Sequence, residues 1–274
     1  LAPSVLLRLL RFLSTLGVVN ALDNDYFTST DLTEHLNKVN NLAVGAEAVR
    51  AWAAMSEAIL DTNTAFEQAN GSSFYELLNS KPKQAERWAL YNQSKAEAWA
   101  QAFVDQLAEV IPIEGTETLA DMGAGGAHLV AAWLQSYPKC KAIVCDLPQA
   151  IENVQADLAR HSITDQVQWV ASDLIQEPAP PADIYVLAHL LLNLNDQDAV
   201  AVLSHCSQQM THSSKLFIIE SIMPEEGAPQ RVHHYGIDLH LALMWGGQER
   251  TQSEFKLLLE QAEIKLSSVE NIIS

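Results

Sequence analysis

The stretch Leu119-Ala120-Asp121-Met122-Gly123-Ala124-Gly125-Gly126-Ala127 closes a β-rich run and opens a helical one. Glycine at such a junction lets the backbone turn sharply and approach a ligand closely. Roughly 20 residues on, Asp146 closes the next β-rich run, where a carboxylate accepts hydrogen bonds from both hydroxyls of a ribose. A third strand end, Ser172-Asp173-Leu174, offers a carboxylate to an adenine amino group and a leucine to one face of the ring. Gly123, Gly125, Asp146, Asp173 and Leu174 therefore predict a site for a nucleoside-containing cofactor. A nicotinamide dinucleotide would use the same layout, but it favours a third glycine where Ala127 stands. A plainer reading makes Asp146 and Asp173 ordinary helix caps.

Outward from this loop, short β-rich runs at 118–122, 141–147, 167–174, 183–191 and 216–220 alternate with helical patterns. That alternation predicts an α/β fold with a doubly wound, parallel, Rossmann-like sheet over residues 111–274. Residues 1–110 read differently. Leu6, Leu9, Leu10 and Leu13 share one helical face ahead of Gly17, which predicts a packed helix. Asp23-Asn24-Asp25 suits a hairpin turn, and helical signal resumes at 29–37, so a winged-helix-like unit is expected. From Val44 to Val110 the pattern is helical, with a turn at Asn70-Gly71-Ser72 and a start at Ser80-Lys81-Pro82. Trp88, Tyr91, Lys95 and Trp99 fall on one stripe, read as core with part of it lining a pocket. The boundary between the two regions is expected near Glu109–Gly115.

The formal charge of −18, from 34 acidic and 16 basic residues, repels a phosphate backbone and gains nothing at an anionic membrane. Nucleic acid and membrane are thus not expected as partners. Cys140, Cys145 and Cys206 match no zinc spacing and are too few for a disulfide framework, which suits a cytoplasmic protein. No apolar run reaches the roughly 18 residues of a membrane span, and Arg8 and Arg11 interrupt the apolar opening before it could act as a signal sequence. The chain opens without Met, so residues ahead of Leu1 are expected to be missing.

Four segments in this order, Asp121-Met122-Gly123-Ala124-Gly125, Cys145-Asp146-Leu147-Pro148, Ser172-Asp173-Leu174 and Gly246-Gly247-Gln248-Glu249-Arg250-Thr251, resemble the small-molecule O-methyltransferases acting on phenols and hydroxyindoles, the caffeate/hydroxyindole type. The likeness runs along the whole chain, and the Gly-Gly-x-Glu-Arg-Thr element is its most specific part. The resemblance implies S-adenosyl-L-methionine as cofactor, held by Asp121, Gly123, Gly125, Asp146, Leu147, Asp173 and Leu174. It implies a small-molecule acceptor and an N-terminal region that forms a homodimer and helps close the pocket. It also implies that the chain is trimmed at both termini, lacking the first dimer helices and a final antiparallel strand.

Methyl transfer is an in-line displacement in which the protein holds acceptor and methyl group in line and makes the acceptor nucleophilic. A phenol, with a pKa near 10, needs a base. The resemblance implies a His-Asp pair after the fourth strand, flanked by two glutamates, here Glu220 and Glu249. Counted along Ala188-His189-Leu190-Leu191-Leu192-Asn193, that pair falls on Leu192-Asn193, so the usual histidine is replaced by leucine. His189, near the strand end, and His240, in a segment that faces the acceptor in the family, are the substitutes considered, His240 first; each reads equally as a hydrogen-bonded structural histidine. Glu220 and Glu249 read alternatively as partners of surface cations. His233 and His234 point apart and lack a completing ligand, so no metal is expected. Three functions follow: a methyltransferase for a small aromatic or heteroaromatic metabolite, an enzyme of this fold running hydroxylation or ring closure, or a non-catalytic cofactor-binding or dimerising protein.

Overall fold

The computed structural model describes residues 3–33, 45–58, 63–159, 164–226 and 232–272. The chain divides into two compact units, Leu1–Gly45 and Ala46–Ser274. That division lies well before the change from helix to sheet at 109–115, because the helices after residue 45 pack with the sheet region.

In the first unit, α1 (Pro3–Thr15) stops at Gly17, whose φ of 72° is easy only for glycine. Strands β1 (Val19–Ala21) and β2 (Phe27–Ser29) form the expected antiparallel hairpin around Asp23-Asn24-Asp25, with Asn24 in the left-handed region. Thr30 Oγ1 lies 2.9 Å from the carbonyl oxygens of both Gly17 and Val18, tying the hairpin exit to the helix stop. The next helix is visible at residues 31–33; the rest of the stretch expected to 37 lies outside the described residues. Of the face expected to pack, Leu10 and Leu13 are half-buried, while Leu6 is 38% and Leu9 49% exposed. A unit this small has too little other apolar surface to cover them.

In the second unit, five parallel strands, β3 (Thr118–Met122), β4 (Lys141–Asp146), β5 (Val167–Ala171), β6 (Ile184–Ala188) and β7 (Lys215–Ile219), are ordered β5-β4-β3-β6-β7. Side chains alternate between faces along each strand. Leu119, Val144 and Val186 join one apolar layer, whereas Ala120, Ile143, Tyr185 and Leu187 join the other. The first layer is covered by α6 (Pro82–Val110) through Phe103, Val104 and Leu107, by α7 (His128–Ser136) and by α8 (Pro148–Leu158). The second is covered by α9 (Asp196–Gln209) and α11 (Gln252–Gln261). The strand order turns at β3, whose neighbours β4 and β6 lead away in opposite directions, so a crevice opens at its carboxyl end.

A third apolar cluster is helical. Helices α2 (Ala46–Ala53), α3 (Met55–Ala58), α4 (Ala65–Asn70) and α5 (Phe74–Ser80) meet α10 (Val232–Trp245) through Ala51, Phe66, Phe74, Leu77, Leu243 and Met244. Thr64 and Ser73 each form a capping box, and Gly71 closes α4 with φ 74°. The aromatic stripe divides: Trp99 is buried in the layer against the sheet, while Trp88 packs edge-on against Phe74 and Trp245. The side chains of Tyr91 and Lys95 lie outside the described residues. Among the described residues no helix is long and apolar enough to cross a membrane.

The Gly-Gly-x-Glu-Arg-Thr element is explained by three structural tasks. A Cβ at Gly247 would overlap the Leu192 carbonyl oxygen. Arg250 is buried and donates Nη1 to Leu191 O and Nη2 to Leu194 O, each at 2.7 Å, and Nε to Asp196 Oδ1 at 3.0 Å. Thr251 caps α11 in a capping box with Glu254. Arg250→Ala strips donors from two carbonyls at once and is expected to cost about 2–4 kcal/mol, read by urea unfolding. Arg250→Lys rescues little, because an ammonium cannot span the same three acceptors.

Candidate active site

The cofactor side is built at the carboxyl ends of β3, β4 and β5. Gly123 turns the chain with φ 75° and donates its N–H to Cys145 O at 2.8 Å, and Gly125 follows with φ 56°. A Cβ on Gly123 would lie 2.8 Å from Leu190 Cδ1, which would have to turn aside, so the requirement for glycine comes chiefly from the left-handed backbone. Asp146 Oδ2 accepts the Gly125 N–H at 2.9 Å and Oδ1 accepts the Leu147 N–H at 2.7 Å. These bonds fix the carboxylate beside the loop and leave each oxygen a further lone pair, as recognition of two adjacent hydroxyls requires. Asp173 takes part of the plainer reading too: its Oδ1 accepts the Ile175 N–H at 3.0 Å, a local turn cap. Leu174 beside it is half-buried, with its carbonyl 3.0 Å from His205 Nδ1.

Two carboxyls of this cleft bind protons unusually tightly. Burial pushes Asp121 well above the ordinary range, and the negative charge of Asp146 adds to it. Asp146 is itself raised by burial, against the lowering effect of its two backbone donors. Tyr75, on α5, was not singled out by its sequence. It is 41% exposed, yet its phenol is pushed up to about 12 by enclosure and then by the charge of Asp146. Only the Phe-Tyr pair beginning a capped helix could have drawn attention to it.

The acceptor side centres on the turn after β6. Glu220, at the end of β7, accepts the Leu191 N–H at 2.9 Å and the Leu192 N–H at 3.3 Å through Oε1. Its Oε2 is buried with no hydrogen-bond partner among the described residues. Burial raises this carboxyl to about 8, although the two N–H donors and the Arg250 charge pull it down. From the other side, Gln248 donates its N–H to Leu192 O at 2.9 Å, and strands β8 (Ile222–Met223) and β9 (Arg250–Thr251) pair in parallel. Glu220 and Glu249 are thus carried to opposite sides of the Leu192 backbone. Neither is a surface partner of a cation: both side chains are 2% exposed.

The histidines separate clearly. His189 holds a left-handed φ of 51°, lies edge-on to Trp99, and keeps Nδ1 3.9 Å from Glu220 Oε2, too long for a hydrogen bond. His240 receives the Trp52 indole N–H on Nδ1 at 3.0 Å and stacks on that ring. An indole only donates, so the neutral imidazole carries its proton on Nε2. That bond occupies the Nδ1 lone pair of His240. His234, set aside in the sequence, places Nδ1 2.9 Å from Glu249 Oε2. Among the described residues no group of three His, Cys, Asp or Glu side chains could hold a metal ion.

Around His240, Trp52, Trp245, Trp88 and Phe74 form a continuous aromatic group, with ring centroids 4.9–6.1 Å apart in successive pairs. The candidate site residues are thus a glycine loop with acidic strand ends, two buried glutamates and an aromatic group.

The family model for the O-methyltransferase domain matches residues 52–265. The phenazine O-methyltransferase PhzM of Lysobacter antibioticus is 29% identical over 274 residues, covering 97% of this chain and 78% of that protein. The mitomycin biosynthesis 6-O-methyltransferase of Streptomyces lavendulae is 28% identical over 268 residues, covering 94% and 75%. The solved structure of the mitomycin 7-O-methyltransferase MmcR aligns with a TM-score of 0.84 at 28% identity, covering 94% of this chain and 77% of that one.

A carboxyl raised on folding stabilises the native state below its unfolded pKa and loses that contribution as pH climbs through its folded value. For Glu220 the window runs from about 4.5 to about 8. Glu220→Gln keeps an acceptor for Leu191 and Leu192 but cannot ionise. Its melting temperature relative to the parent protein should therefore rise across that window, by about 2–4 °C for each kcal/mol recovered. A difference independent of pH would contradict the buried, protonated carboxyl.

Proposed function

The chain belongs to the O-methyltransferase domain family, and on that premise we propose that it transfers the methyl group of S-adenosyl-L-methionine to an oxygen of a small aromatic or heteroaromatic metabolite. The observation that carries this reading is the pairing of the Gly123–Gly125 turn with Asp146, whose two oxygens are pre-set by backbone donors. Asp146 is assigned the ribose hydroxyls, with Asp173 and Leu174 at the adenine and Gly123, Gly125 and Leu147 as the backbone cradle. The residues suit this cofactor chemically. Asp121 and Asp146 form no ion pair among the described residues, and each is raised by burial, so a cationic ligand relieves the carboxylate crowding. S-adenosylmethionine supplies an activated methyl group on a sulfonium when bound.

The remaining work belongs to the chain's own side chains. Trp52, Trp88 and Trp245 are assigned the flat apolar faces that orient a planar acceptor and exclude water. Glu220 and Glu249 are assigned to bracket the reacting oxygen. Two relatives carry O-methyltransferase in their names and act in phenazine or mitomycin chemistry, which favours oxygen on a fused ring system. The helices from residue 46 to 110 are assigned the closure of the acceptor side, and the exposed face of α1 homodimerisation. Sedimentation at the monomer mass would remove the latter.

Calorimetric titration with S-adenosylmethionine tests the site. Micromolar binding is expected, weakened about 100-fold in Asp146→Ala by loss of the ribose contacts; unchanged affinity in that variant would remove the assignment. Incubation with hydroxylated aromatics should yield S-adenosylhomocysteine and a product heavier by one methylene in equal amounts.

A further inference from the structure

A base must still take the acceptor's proton, and the position that holds histidine in the resembling enzymes holds Leu192 here. We propose that this role has moved to His234, on α10, fixed by Glu249. The inference rests on the methyltransferase reading above.

Four observations place it. The Glu249 side chain is 2% exposed and stands one residue beyond Gln248, whose N–H is bonded to Leu192 O. Glu249 is therefore held beside the vacated position. Asp238 Oδ1 accepts the Glu249 N–H at 2.8 Å, so the backbone of Glu249 is tied to α10. One helical turn before Asp238, His234 comes up on the same face, and its side chain is only 13% exposed. Its Nδ1 lies 2.9 Å from Glu249 Oε2. An ionised carboxylate only accepts, so Nδ1 carries the proton and the lone pair is on Nε2. This is the relation by which a carboxylate sets the tautomer and orientation of a proton-accepting imidazole. His189 stands 3.9 Å from its carboxylate, and His240 has its Nδ1 lone pair directed at an indole N–H.

In the step, the acceptor's O–H bond breaks and its proton passes to His234 Nε2. The oxygen's electron pair forms the new C–O bond while the C–S pair of the sulfonium goes to sulfur. The imidazolium is then stabilised by Glu249. The ionisable groups facing His234 and Glu249 are Asp238, Glu220 across the Leu192 backbone, and Arg250, whose guanidinium is turned toward Leu191, Leu194 and Asp196. Burial raises Asp238, with the charges of Glu249 and Glu254 adding to it.

The test compares the parent protein with His234→Gln and Glu249→Gln, using an ordinary phenol and a phenol already ionised at neutral pH. His234→Gln should lower kcat for the ordinary phenol about 10²- to 10⁴-fold and remove the acidic limb of its pH profile. The loss should be far smaller for the pre-ionised phenol, with S-adenosylmethionine affinity by calorimetry unchanged within a few-fold. Nitrogen-15 spectra of histidine-labelled protein without acceptor should show His234 protonated on Nδ1, with that preference lost in Glu249→Gln. Retained kcat with an intact acidic limb, an equal loss for both phenols, or a His234 protonated on Nε2 would overturn the proposal. If the parent protein binds no S-adenosylmethionine or turns over neither phenol, the methyltransferase reading fails first and this inference with it. Turnover by the parent protein that His234→Gln leaves intact removes the inference alone.

Discussion

The buried guanidinium of Arg250 is the constraint on which the acceptor side depends. Three hydrogen bonds join it to Leu191 O, Leu194 O and Asp196, so the turn after β6 has one geometry relative to the segment that carries Glu249. A guanidinium is suited to this, since its planar fork meets several acceptors without losing its charge. Because Gly247 lacks a Cβ, the same segment lies directly on the Leu192 carbonyl. The two glutamates are then fixed on opposite sides of one backbone turn, one by N–H donors and one by its place before β9. Buried carboxyls in such an arrangement are held by the fold rather than by solvent.

On the cofactor side, electrostatics follow from burial. Burial and then the charge of Asp146 raise the cost of ionising Asp121, and burial raises that of Asp146 itself. A ligand that arrives with a sulfonium charge and leaves as a neutral thioether is attracted more strongly before transfer than after it, so the acidic wall favours exchange of product for fresh cofactor. Burial, and then the charge of Asp146, hold the Tyr75 hydroxyl on α5 protonated at physiological pH.

Much of the fold was legible because its signals are local. The Gly123–Gly125 turn, the Asp146 strand end, Pro82 beginning α6 and Gly71 closing α4 all act through nearby backbone, and the five parallel strands lie where β-rich runs alternate with helices. What was hidden depends on contacts between residues far apart in the chain. The Trp52–His240 bond joins α2 to α10 and occupies the Nδ1 lone pair of His240. His234 was set aside as half of an adjacent histidine pair, since periodicity shows which way a side chain faces but not that a buried carboxylate waits there. The exposed apolar face of α1 was read as core because its spacing is that of a packed helix; spacing alone does not say what covers it.

The relocation of the proton acceptor is tested most directly by a crystal structure of the complex with S-adenosylhomocysteine and an aromatic acceptor. The reacting oxygen is predicted to lie about 2.6–3.2 Å from His234 Nε2, with Leu192 in apolar contact with the ring. An acceptor oxygen seated on His189 or His240, with His234 turned away from the cleft, would contradict it.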